Sequence, residues 1–94
     1  MISALIKANP EIAPLMQDSR NFFVSIVGDG VHVRSTPSLS GNILGTVFGS
    51  RGDLAVLQFD SRTVADGHTW WFATTITNVS FRGWLSERYT DFRS

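Results

Sequence analysis

The chain has 94 residues, no cysteine, and eight basic residues balanced by eight acidic ones, for a formal charge of zero. Its 43% hydrophobic and 17% charged content is that of an ordinary globular protein, so one domain with a small core is expected rather than global disorder. The charge balance argues against nucleic-acid and anionic-membrane partners, although a local arginine patch remains compatible with it. Without cysteine there is no disulfide, thiolate nucleophile or cysteine-type zinc site, and no run of about 18 apolar residues marks a membrane helix.

Residues 1–21 read as a helical N-terminal extension and linker, and residues 22–94 as the domain proper. In the extension Ile2, Leu5, Ile6 and Ala8, then Ile12, Ala13, Leu15 and Met16, fall at helical spacing. Pro10 and Pro14 interrupt that pattern, which predicts one or two short helices. Docking of this apolar face on its own domain is the plainer reading; docking on a partner is the other. Gln17 to Asn21 is a polar linker. The opening Met1–Lys7 is too short for a signal-peptide core and lacks a basic leader. A cell-envelope or extracellular location therefore requires the chain to belong to an exported or phage-released protein.

From Phe22 the period changes to that of strands. Phe23–Val27 is rich in β-branched and aromatic residues and predicts a strand. Gly28-Asp29-Gly30 is a turn, because Gly tolerates positive φ and Asp bonds its own backbone. Val31, His32, Val33 and Arg34 alternate apolar and polar, the pattern of a half-buried strand, which Pro37 ends. Further strands are predicted at Ile43–Phe48, Leu54–Phe59, with Leu54, Val56 and Gln58 on one face, and Thr69–Thr77. Asp60–His68 reads as a polar loop, and Asn78-Val79-Ser80 turns the chain into a last strand at Phe81–Ser86. Short strands separated by turn residues predict an all-β fold, a small barrel of five to seven strands.

The run Gly28-Asp29-Gly30-Val31-His32-Val33-Arg34-Ser35-Thr36-Pro37-Ser38 resembles the signature Gly-Asp-Gly-Val-Asn-Val-Arg-Ser-Gly-Pro-Ser of bacterial Src-homology-3-like (SH3-like) domains. His32 stands in the Asn slot and Thr36 where Gly is common. Gly45-Thr46 and Gly83-Trp84-Leu85-Ser86, followed by Tyr89, match later landmarks in the right order, so the likeness spans roughly Phe23 to Phe92. The resemblance implies an SH3-like barrel with a short helical turn at Glu87-Arg88-Tyr89. It implies work at the bacterial cell wall, as a peptidoglycan-binding module that often accompanies a wall hydrolase. It also puts Trp70 in the family's buried slot, Trp71 outward, and Trp84 at the binding surface.

Catalysis is the poorer reading. His32 and His68 are the only histidines, and no nucleophile elbow, His-Glu-x-x-His helix or carboxylate pair is legible. Two isolated histidines are also thin for a metal site, and no cofactor is implied. Arg51-Gly52-Asp53 matches an integrin-binding tripeptide, but the same residues are what a hairpin turn uses. The candidate ligand contacts are Asp29, His32 and Arg34 as polar groups, with Trp71, Trp84 and Tyr89 as aromatic area. The leading expectation is a non-catalytic binder of peptidoglycan peptide. The alternative is a protein–protein or homo-oligomerisation module that uses the N-terminal segment and the aromatics.

Overall fold

The computed structural model describes residues 20–77 and 80–92, so the helices expected before Arg20 and the Asn78-Val79 turn lie outside the described residues. The described chain is all-β, with strands β1 (Phe22–Ser25), β2 (Val31–Arg34), β3 (Ile43–Val47), β4 (Leu54–Leu57), β5 (Thr63–Ala65), β6 (His68–Ile76) and β7 (Arg82–Ser86). Single 3-10 turns follow β3 at Gly49–Arg51 and β7 at Glu87–Tyr89. All seven strands form one antiparallel sheet in the order β1-β4-β6-β7-β2-β3, with β5 attached to β6.

The ends of that order meet. Beyond β1, Ile26 bridges Thr90 and Val27 N donates to Tyr89 O. Gly28 O then accepts from Gly49 N at 2.7 Å, and the Asp29 carboxylate accepts from Ser50 N at 2.9 Å, so the segment after β1 is tied to the segment after β3. The sheet thus curls around its own inner face. That face carries Val24, Val31, Val33, Val47, Ala55, Leu57, Trp71, Ala73 and Leu85, all buried in one cluster. Burying such side chains contributes roughly 1.5–3 kcal/mol each, which is what holds a domain this small together.

The structure assigns the faces of the predicted strands and adds one strand. In β4 the core residues are Ala55 and Leu57, since the register sets Leu57 against Phe22 and Ala73. Leu54 and Val56 share the outer face. The Asp60–His68 stretch contains β5, because Asp66 (φ 54°) and Gly67 (φ 74°) form a two-residue turn of the kind whose twist suits a hairpin.

Trp71 needs a larger correction. Trp71, expected outward, points into the core: its neighbours across the sheet put it in phase with Leu85, and Ala73 with Leu57. Its ring meets Phe22 at 5.3 Å and Phe92 at 5.1 Å, and Nε1 donates to Glu87 Oε1 at 3.0 Å. Trp70 lies on the opposite face, yet it is equally buried, at 2% exposure against 3%. Strand β5 is the reason. It pairs along β6, and Trp70 Nε1 donates to Ala65 O at 2.9 Å.

The Arg51-Gly52-Asp53 turn is a closed structural unit. Gly52 sits at φ 84°, and the Asp53 carboxylate, buried, accepts from Phe48 N at 2.9 Å and from the Arg51 guanidinium. An acid held inside in this way is unavailable to a receptor.

Candidate functional site

Strand alternation builds the site. With Val31 and Val33 inside, β2 turns His32 and Arg34 outward. β7 contributes Ser86 and β6 contributes His68 and Trp70 on that same outer side. The Gly28–Gly30 turn, Tyr89 and Leu39 rise around these residues, leaving an open groove of about 330 Å³.

Each wall is fixed by a specific bond. The Arg34 guanidinium donates from Nη1 to Gly41 O at 2.9 Å, which holds the Ser35–Asn42 loop over the end of β2. Leu39 N donates to Asp66 Oδ2 at 2.9 Å, tying that loop to the β5–β6 turn. The Ser50 backbone N–H and hydroxyl hold the Asp29 carboxyl below the usual carboxylate range. A lowered carboxyl value contributes stability at neutral pH that is lost as acidification protonates it, so the Asp29–Ser50 tie loosens only in acid. On the floor, His68 Nδ1 lies 2.7 Å from Ser86 Oγ, and the His68 ring packs 5.5 Å from that of Trp70. Ser86 also caps the last 3-10 turn by accepting from Arg88 N at 3.4 Å.

Of the residues singled out in the sequence, Asp29, His32, Arg34 and Tyr89 come together on this groove. Trp71 does not, being in the core. Trp84 is half-buried on the outer face of β7, edge-on to Phe72 at 5.6 Å and opposite Arg34 in register, but it does not line the groove. Leu39, His68, Trp70 and Ser86 line it without having been proposed as contacts. His68 and Trp70 share a strand face, a signal visible as their i, i+2 spacing once β6 is extended by one residue.

The Ser86–His68 pair is within hydrogen-bond reach, but among the described residues no carboxylate orients the imidazole. Asp66 is engaged with Leu39 N and Glu87 with Trp71. Ser86 is 2% exposed and already serves as a cap. No cluster of His, Asp or Glu suited to a metal ion occurs among the described residues. What the groove presents instead is aromatic area beside N–H donors.

No family model matches the chain, and neither the curated proteins nor the solved structures contain a match to it.

Proposed function

We propose that this chain is a non-catalytic binding module of the bacterial SH3-like kind, which holds a peptidoglycan peptide in the groove at the cell envelope. The observation that carries the reading is the groove itself: an open trough on the outer face of β2, β6 and β7 where His32, Arg34, Trp70 and Tyr89 converge. An open trough suits an extended segment, and the exposed Tyr89 ring gives contact area with little loss of side-chain freedom. Binding of this type raises the local concentration of any tethered enzyme at its substrate.

Purified, protein-free sacculi of several cross-bridge types should sediment the protein. Tyr89→Ala, which leaves the backbone bond to Val27 in place, should weaken binding by about 1 kcal/mol, roughly fivefold. No retention on any sacculus would remove the wall reading.

A protein–protein role is favoured by one separate feature. Strand β3 ends the sheet order, carries no charge or proline, and exposes Ile43 (52%) and Leu44 (51%), whereas edge strands are usually blunted by such residues. On this reading light scattering gives a dimer that Ile43→Lys converts to monomer. A monomer across the accessible concentration range counts against it.

A further inference from the structure

The charged groups around the groove are satisfied unevenly. Every acidic side chain among the described residues already accepts a hydrogen bond from within the protein: Asp29 from Ser50 N, Asp53 from Phe48 N, Asp60 from Gln58, Asp66 from Leu39 N, Glu87 from Trp71, and Asp91 from Ser25 N. The cations facing the groove are in the opposite condition. Arg34 is half-buried, spends one N–H on Gly41 O, and pairs with no carboxylate among the described residues. His32 stands exposed two positions before it on the same strand face, with no hydrogen-bond partner among the described residues. A partly desolvated guanidinium whose remaining donors are unclaimed is a fork suited to a carboxylate.

Resting on the binding-module reading above, we propose that the groove selects a ligand carrying a carboxylate. Arg34 receives the carboxylate through its unclaimed N–H groups with His32 beside it, and the exposed Tyr89 ring holds the adjoining apolar part. Facing the site are Asp29 from the first turn, His32 and Arg34 from β2, His68 from β6 and Tyr89 from the last turn, while the Asp66 and Glu87 carboxylates accept from Leu39 N and Trp71 Nε1.

The test is an NMR titration of the whole chain with N-acetyl-alanyl-alanine as the free acid and as its C-terminal amide. The free acid should shift the His32 and His68 ring signals and the Arg34 Nε–H, bind severalfold more tightly than the amide, and outcompete it. Arg34→Gln, which keeps a donor for Gly41 O, should abolish the acid–amide difference. If that variant fails to fold, His32→Gln, altered only at an exposed side chain, should reduce the difference. Equal shifts from acid and amide, or none from either, overturn the carboxylate inference. Sacculi with their carboxyls capped as amides separate the two proposals. Retention of native but not capped sacculi supports both, and equal retention overturns the carboxylate inference while leaving the wall reading intact. If no sacculus binds but the dipeptide acid does, the wall reading fails and the anion site stands.

Discussion

Trp71→Ala should lower the thermal midpoint by about 15 °C or more. The indole is 3% exposed, sits in the same cluster as Leu57 and Leu85, and is flanked by the rings of Phe22 and Phe92. Truncating a buried tryptophan costs about 3–5 kcal/mol, from lost transfer energy and from the cavity left behind. Removing it also strips Glu87 Oε1 of the N–H it accepts, beside the 3-10 turn that carries Tyr89. A small domain has only about 5–15 kcal/mol in total, so the variant loses a large fraction of its stability. Trp71→Phe keeps the ring stack and loses only the hydrogen bond and part of the volume, so it should fall between the two. Calorimetry or denaturant melts decide the matter. A midpoint within a few degrees of wild type would mean that Trp71 lies on the surface, which is where the SH3-like resemblance puts it.

That disagreement shows which parts of the molecule could be read in one dimension. Strand β2 was legible residue by residue, since Val31 and Val33 bury and His32 and Arg34 emerge, and the glycine turn before it has Gly28 at φ 99° and Gly30 at φ 70°. Such alternation belongs to the strand itself and depends on nothing distant. Trp70 is buried as the resemblance implies, but the inward side of Trp71 was not legible. Period 2 correctly puts neighbours on opposite faces, but it does not say whether the outer face is covered. Here β5, three residues long, folds along β6 and buries the outward tryptophan. The same contact explains why the groove was only half anticipated. Asp29, His32, Arg34 and Tyr89 lie near the recognisable signature runs. His68, Trp70 and Ser86 reach the groove only through the β5–β6–β7 register, and Leu39 only through its bond to Asp66.

Gly83→Ala carries the second large effect, and its sign runs against intrinsic preference. In a strand interior alanine is favoured over glycine by roughly 0.5–1 kcal/mol, because glycine loses more conformational freedom on folding. A Cβ at Gly83, however, would lie 2.7 Å from Val33 Cγ1, 2.8 Å from Arg34 O and 3.0 Å from Leu44 Cδ1. The valine methyl can shift by rotation; the backbone carbonyl cannot. Overpacking of this kind costs about 1–3 kcal/mol, which exceeds the entropic gain, so a net loss and a midpoint lower by several degrees are expected. The obstruction falls where β7 meets β2, at the Arg34–Trp84 register pair. Pushing those strands apart moves Arg34 relative to Ser86 and His68, so ligand affinity should fall together with stability. Combining Gly83→Ala with Val33→Ala tests the cause through a double-mutant cycle. The favourable coupling should recover only part of the loss, because Arg34 O remains in the way. Complete recovery would assign the obstruction to the valine side chain, and an unchanged midpoint in the single variant would show that β7 and β2 lie farther apart than these distances require.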